Sequence, residues 1–459
     1  MGHKKQLLAA FGCLAAVLAA LLLASPRETA RAQVQPTYAV YLPFLVNRWQ
    51  DPAIVSPNDP YFANGYQWGL YNYGQDGGTA GADIDARRAW GLTVGESNAA
   101  IAIVDSGIDV SHPEFADKLL PGWNFVAGNS NSDDDYGHGT HVAGIAAANT
   151  NNATGVSGVA WNTRLMPLKV LDSTGRGYDS DVASAIKFAA DHGARVINLS
   201  LGTASLSSTL NNAIDYAYSR GSLLVAAAGN CGVVGTEGCA YQNQPSYPAA
   251  SPHVLAVAAT DRNDSRASFS TQGSYVDVAA PGQDILSTYP GGYASGRGTS
   301  FAAPYVSGLA GLLLARYPGY SADQLAAAIV NNAEDLGPII GKDPEYGCGR
   351  INAYRSLAYG TGGAGCPGWS FAAAAVTAQA MPAQAKGAFK AGKVLVKFKS
   401  AADARAKGHA REAVPGLGIY EVRVPPGQEL AKVAELQADP SVEFAEPDYV
   451  VYALGGAGR

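Results

Sequence analysis

Ile101-Ala102-Ile103-Val104-Asp105-Ser106-Gly107 decides how the rest of the chain is read: an unbroken apolar run that stops at a carboxylate, a hydroxyl and a glycine. A run without polar alternation fits a strand covered on both faces, as in a parallel sheet with crossover helices. Val196-Ile197-Asn198-Leu199-Ser200 and Leu223-Leu224-Val225-Ala226-Ala227 have the same character. Amphipathic patterns over 181–192 and 208–220, stopped by Gly193 and Gly221, precede these two runs as helices. The expected fold of residues 56–359 is therefore α/β, a mostly parallel, doubly wound sheet with helices on both faces. Ligands of such sheets bind beyond the carboxyl ends of the strands, and both Asp105 and Asn230 closely follow apolar strands.

Two further motifs follow Asp105 in order: His138-Gly139-Thr140-His141-Val142-Ala143-Gly144, then Gly298-Thr299-Ser300-Phe301-Ala302-Ala303-Pro304, each opening a helical pattern. A neutral serine hydroxyl is a poor nucleophile and needs a base, which in turn needs a fixed tautomer. His138 supplies the base for Ser300, and Asp105 the orienting carboxylate. Asn230, at the end of Ala226-Ala227-Ala228-Gly229-Asn230, can donate with the Ser300 N–H to a tetrahedral oxyanion. Each signal alone is weak, since Val-Asp-Ser-Gly is usually a turn and a histidine opening a helix is usually structural. His141 lies three residues after His138, but the glutamate of the helix-borne zinc protease motif is missing, so it reads as structural.

The order Asp, His, Ser resembles that of the subtilisin-like serine proteases. Extended substrate is held by such enzymes as an added strand. The resemblance implies two flanking edges, Gly175-Arg176-Gly177-Tyr178 and Ser200-Leu201-Gly202, and an apolar pocket walled by Ala227, Ala228 and Gly229. About two thirds of the chain is covered, and the likeness is nearest to the thermitase-like, calcium-stabilised branch. It rests also on Pro57-Asn58-Asp59-Pro60-Tyr61-Phe62, Asn151-Asn152-Ala153-Thr154-Gly155 and Gly349-Arg350-Ile351-Asn352-Ala353-Tyr354. By position, that branch's tight Ca2+ site implies the side chains of Asp59, Glu114 and Asn152 with the carbonyls of Asn149, Thr154 and Val156, all hard oxygen donors. Glu114 departs from the expected Asp by one methylene. A second site is eroded at Ala127, and Asp133-Asp134-Asp135 reads as a solvated acidic loop. Phe301 replaces the usual Met after the nucleophile, removing the thioether that oxidises to a polar sulfoxide.

With 459 residues, 47% of them hydrophobic, 54 glycines and a formal net charge of -6, the chain has a globular composition and no basic stripe for nucleic acid. Lys4-Lys5, an apolar run over 7–24 and Ala30-Arg31-Ala32 read as a secretory signal cleaved after Ala32, the alternative being an uncleaved anchor. A secreted protein with no stable membrane anchor is expected. Excluding Cys13 leaves Cys231, Cys239, Cys348 and Cys366, with local pairs 231–239 and 348–366 favoured over a four-thiolate metal site.

Residues 33–55 form an extension, and 360–391 turn to Gly, Ala, Gln and Pro, as in a linker. Over 392–459, strand patterns at 394–398, 419–424 and 442–454 alternate with helical ones at 401–411 and 429–437, giving a small α+β sandwich. Gly392-Lys393-Val394-Leu395-Val396-Lys397-Phe398 and Val442-Glu443-Phe444-Ala445-Glu446-Pro447-Asp448-Tyr449 resemble the propeptide inhibitor of subtilisins, displaced here to the C-terminus. The resemblance implies a tail, Val451-Tyr452-Ala453-Leu454, lying in the cleft with Leu454 in the apolar pocket. The expected function is a secreted serine endopeptidase that cuts after apolar or aromatic residues of proteins and peptides and is restrained by its own tail. The alternative is a catalytically silent scaffold carrying an inhibitor domain for other proteases, since fold resemblance alone does not establish function.

Overall fold

The apolar runs become strands because almost every residue in them is covered from both sides. In chain order these are β1 Ala100–Asp105, β2 Trp123–Asn124, β3 Arg164–Lys169, β4 Arg176–Tyr178, β5 Val196–Leu199, β6 Leu201–Gly202, β7 Leu223–Ala227, β8 Val254–Thr260 and β9 Val278–Pro281. Seven of them form one sheet in the order β2-β3-β1-β5-β7-β8-β9, with all pairings parallel. The computed structural model describes residues 52–233, 239–371, 388–409 and 411–458. The signal read at 1–32 and residues 372–387 of the linker lie outside the described residues.

Helix Thr299–Arg316 is the axis of the larger unit. Sixteen of its 18 residues are buried, and its apolar surface packs with β1, β5 and β7 into one core. Helices Asp179–Asp191 and Ser208–Ser219 bury their apolar faces in a second core that includes Val104, Leu199 and Ala226. Side chains of β1 and β7 thus alternate between the two cores, as the pleat requires. Helix His138–Ala147 is buried along its whole length. Disulfides join Cys231 to Cys239 and Cys348 to Cys366, and among the described residues no helix is long and apolar enough to cross a membrane.

A hairpin, β10 Ile285–Tyr289 with β11 Gly292–Arg297, precedes the Thr299 helix. Beyond the linker come β12 Phe389–Phe398, β13 Glu412–Val414, β14 Ile419–Arg423, β15 Val442–Ala453 and β16 Gly456–Gly458, with helices Ala401–Ala406 and Glu429–Gln437. The first of these helices stops five residues short of the expected 411, and β13 is an unexpected extra strand. Lys407 and Gly408 (φ +83°) end the helix, and the chain then extends to pair with β14. The antiparallel order β13-β14-β12-β15 continues through β15 onto β4, so this small sheet is completed by an edge of the larger unit.

Candidate active site

Strand β1 ends at Asp105, and Ser106 and Gly107 turn the chain so that the carboxylate meets the first turn of the His138 helix. His138 Nδ1–H donates to Asp105 Oδ1 at 2.8 Å, with both side chains almost wholly buried. The Ser106 N–H donates to the same carboxylate oxygen at 2.7 Å, while Ser106 Oγ accepts from the Gly139 N–H at 2.9 Å, tying turn to helix. His138 Nε2 and Ser300 Oγ are both buried, and neither has a hydrogen-bond partner. The expected row is joined between Asp105 and His138 and open at Ser300, where the chain's own Gly455 crosses the hydroxyl. Hydrogen bonds to a nucleophile commonly close only as reaction begins.

Gly298 must be glycine: at φ +155°, a Cβ there would sit 2.5 Å from the Leu454 carbonyl oxygen. That oxygen accepts from Asn230 Nδ2 at 2.8 Å and from the Ser300 N–H at 3.2 Å. The Asn230 amide is held in this orientation because its Oδ1 accepts from the Thr299 N–H and hydroxyl, each at 3.0 Å. Two donors therefore converge on one carbonyl oxygen beside a histidine–carboxylate pair. This arrangement suits acyl transfer.

The residues before that carbonyl lie between two strand edges. Val450, Val451 and Tyr452 pair with Tyr178, Gly177 and Arg176, while Tyr452 and Ala453 pair with Gly202 and Leu201. Ala453 N–H donates to Gly175 O at 3.0 Å and Leu454 N–H to Ser200 O at 3.1 Å. Ser200 is braced in turn: its hydroxyl donates to the Ser300 carbonyl at 2.7 Å and accepts from Asn198 Nδ2 at 2.9 Å. Leu454 packs against the core that contains Ala227. Ala228 serves the wall from behind, its carbonyl accepting from the Tyr275 hydroxyl at 2.6 Å.

Sequence reading missed two parts of this region. Ser246 borders the pocket: a Cβ on Gly202 would meet Ser246 Oγ at 2.2 Å and Leu454 Cδ1 at 2.8 Å, and one on Gly229 would meet Ser246 Cβ at 3.0 Å. Strand β11 takes the residues after the carbonyl, pairing Arg297, Gly296 and Ser295 with Gly456, Ala457 and Gly458. No local motif marks either; Ser246 precedes an ordinary Tyr-Pro turn, and β16 is nearly all glycine.

Two carboxylates of β15 reach the N-termini of the paired helices. Glu446 accepts from the N–H groups of Thr209 at 2.7 Å and Ser208 at 2.9 Å, and Asp448 from the Ser180 N–H at 3.0 Å and hydroxyl at 2.9 Å. The positive helix ends favour both contacts. Beside them Asp179 is fully buried, and burial, then the charges of Asp448 and Glu446, push its pKa well above the aspartate range against the lowering effect of the Ser207 hydroxyl. Asp181 is raised to about 6 by burial and by Asp448.

Away from the cleft, the proposed cation ligands gather around two fully buried carboxylates, Asp59 and Glu114. Glu114 accepts from the Val156 N–H, Asn152 Nδ2 and the Tyr293 hydroxyl, each at 3.1 Å, and the Asn149 N–H donates to its carbonyl at 2.8 Å. Asp59 accepts from the Asn151 and Asn152 N–H groups and from Ser157 Oγ, and Thr154 N–H caps Asn152 Oδ1. Burial first, and the neighbouring Asp59 charge next, raise Glu114 to about 7. Among the described residues no cluster of three or more His, Cys, Asp or Glu side chains could hold a metal, since this set has two carboxylates and otherwise amide and main-chain oxygens. The oxygen chemistry of the set is that of a hard, calcium-like ion, but Asn152 turns its Nδ2 to Glu114 while its Oδ1 accepts from the Thr154 N–H. The acidic loop is not wholly solvated as expected: Asp134 is buried and accepts from Gly137 and Thr140, holding the start of the His138 helix. His141 is structural, bonded through Nε2 to Ala294 O at 3.0 Å and pushed by burial to about 3.

Comparison with known proteins gives this geometry a context. The family model described as the subtilase family matches residues 96–349, and one described as the fervidolysin N-terminal prodomain matches residues 375–448. Thermitase of Thermoactinomyces vulgaris is 46% identical over 305 residues, 66% of this chain and 100% of the relative. A thermophilic serine proteinase of Bacillus sp. (strain AK1) is 44% identical over 305 residues, 66% of this chain and 70% of the relative. Among solved structures, a protease of Pseudoalteromonas arctica PAMC 21717 aligns with a TM-score of 0.58 at 31% identity, covering 66% of this chain and 99% of that one.

Proposed function

The chain belongs to the subtilase family and is a subtilisin-like serine endopeptidase, and we propose that Asp105, His138, Ser300 and Asn230 carry the reaction. Ser300 Oγ attacks the carbonyl carbon while His138 Nε2 takes its proton; Asp105 fixes the tautomer and steadies the imidazolium. The oxyanion collects the Asn230 Nδ2–H and Ser300 N–H donors, His138 returns the proton to the departing amine, and water then releases the acyl group. One observation carries this reading: the Leu454 carbonyl oxygen lies 2.8 Å from Asn230 Nδ2 and 3.2 Å from the Ser300 nitrogen, as a substrate carbonyl would.

From the same placement the enzyme prefers apolar or aromatic residues before the cut, in the pocket bordered by Ala227, Ala228, Gly229, Gly202 and Ser246. The C-terminal unit, residues 392–459, acts as a tethered inhibitor of the catalytic unit, residues 56–359, and the bond cut in cis is Leu454–Gly455. Export follows from the signal pattern over 1–32 and suits the two disulfides. A bound Ca2+ would be held by Asp59, Glu114 and Asn152 with the carbonyls of Asn149, Thr154 and Val156, and would supply structural charge neutralisation only.

Casein hydrolysis and fluorophosphonate labelling test the core of this reading. Both should vanish in Ser300→Ala; hydrolysis that survives the substitution would rule out Ser300 as nucleophile. Deleting residues 392–459, which leaves the Cys348–Cys366 disulfide intact, should raise initial activity, and unchanged activity together with unchanged folding yield would remove the inhibitory role.

A further inference from the structure

We propose that Lys169 is a positioning residue of the reaction: its ammonium group fixes the turn after Asp105 against the loop that leads into His138. The inference rests on the reading above, in which the Asp105–His138 pair activates Ser300. Lys169 stands across from Asp105 in the β1–β3 register and is almost wholly buried. An ammonium group carries three N–H donors, and a buried one is costly unless they are used. Here all three are used: Nζ donates to the Ser106 carbonyl at 2.7 Å, to the Leu171 carbonyl at 2.8 Å and to Asp135 Oδ1 at 2.6 Å.

Each acceptor belongs to a different stretch of chain. Ser106 is the turn residue whose N–H donates to Asp105 Oδ1, the oxygen that also accepts from His138. Among the described residues Asp105 Oδ2 has no hydrogen bond, so the orientation of the carboxylate depends on Ser106. Gly107 follows at φ +108° and, with no Cβ, does little to fix the Ser106 carbonyl; the bond from Lys169 does. Asp135 lies in the loop that opens the His138 helix, where its neighbour Asp134 accepts from the Gly137 N–H and from the Thr140 N–H and hydroxyl. One cation on β3 thus ties the end of β1 to the start of that helix, the two elements that bring Asp105 and His138 together. Asp135 is half-exposed, so its ion pair alone is worth little; the two buried carbonyls give the cation its fixed place. A main-chain bond from Ile108 N–H to Ser132 O also joins turn and loop, so removing the cation loosens this geometry without unfolding it.

The test is the rate at which diisopropyl fluorophosphonate labels Ser300 in the full chain, per folded molecule and corrected for opening of the cleft by hydrogen exchange of β15. This small reagent does not lie along the strand edges at 175–178 and 200–202, so its rate reports the catalytic groups and not substrate docking. Lys169→Met keeps the length of the side chain without its charge or donors, and should lower the rate by about 10- to 100-fold, as a misplacement of about 1 Å does. Lys169→Arg, which keeps a cation with N–H donors, should recover a large part of that loss. Asp135→Asn should lower the rate by about threefold, the scale of an exposed ion pair, and should cost nothing further in the Lys169→Met background. A merely structural role predicts a lower melting temperature with the corrected rate unchanged. That result overturns the proposal, as does an equal loss in Lys169→Arg and Lys169→Met. If Lys169→Met does not fold, a native labelling rate in Asp135→Asn overturns it alone. Absence of labelling in the native chain overturns the proteolytic reading, and this proposal with it.

Discussion

The middle of β15 and the residue just beyond its end meet the same catalytic unit by different physics. At Glu446 and Asp448, charges meet helix ends beside the buried Asp179 carboxylate. Eight residues after Glu446, at Leu454, a neutral carbonyl meets two fixed donors. On the proposed function, the first contact sets how tightly the C-terminal unit docks, and the second sets the fate of the docked bond. Affinity and chemistry are thereby separated along one strand, and each can be changed without the other.

The largest separable effect belongs to the chemical end. Asn230→Ala should lower kcat on peptide substrates by about 100- to 1,000-fold, since it removes one oxyanion donor, while docking of the C-terminal unit, followed by hydrogen exchange of β15, changes little. Equal losses at both ends would erase the distinction.

The docking end should answer to pH. In the docked form both Asp179 and Asp181 are raised, Asp181 to about 6 and Asp179 well above its usual value, by burial and by the Asp448 charge that the C-terminal unit brings. The docked form therefore binds more protons. Docking is tightest at acid pH and weakens as pH rises through this window, by up to about tenfold per unit for each group. Lys393, which lies 3.1 Å from Asp448, and Lys390 moderate the repulsion without removing it. The activity ratio of full-length protein to the variant lacking residues 392–459 cancels effects common to both and should climb with pH. In Asp179→Asn that climb should flatten by the share of one carboxylate; an unaltered slope would exclude Asp179.

Removing one capping carboxylate is a smaller change. Glu446→Ala and Asp448→Ala should each weaken docking by about tenfold, the usual worth of a helix cap, with kcat of the open enzyme untouched. Chelation should leave both ends alone. It should lower the melting temperature by roughly 5 °C if a cation is bound well below its free concentration, with the pH slope of docking unchanged; an unmoved melting temperature would remove the cation from the account.

What could be read in the sequence divides along similar lines. Asp105, His138 and Ser300 stand in extended local motifs at strand and helix ends, so the residues can be picked out without knowledge of any contact. The parallel core was equally visible, because unbroken apolar runs such as 101–104 fit few other places. The edges around residues 175–178 and 200–202 came through family likeness, since short glycine-rich segments carry no periodicity. Strand β13, the β11–β16 pairing and the place of Ser246 stayed hidden because partners distant in sequence create them. Asp179 was hidden for another reason: one aspartate opening a helix reads as a good first-turn residue, and only the strand folded over it makes it costly.

A cut before Gly455 leaves residues 392–454 joined to residues 56–359 through the linker between them. Uncovering the cleft is then a first-order event, insensitive to dilution and independent of how many enzyme molecules are near. Only a second cut, between the two units, turns rebinding into a collision between separate molecules and lets the opened state persist.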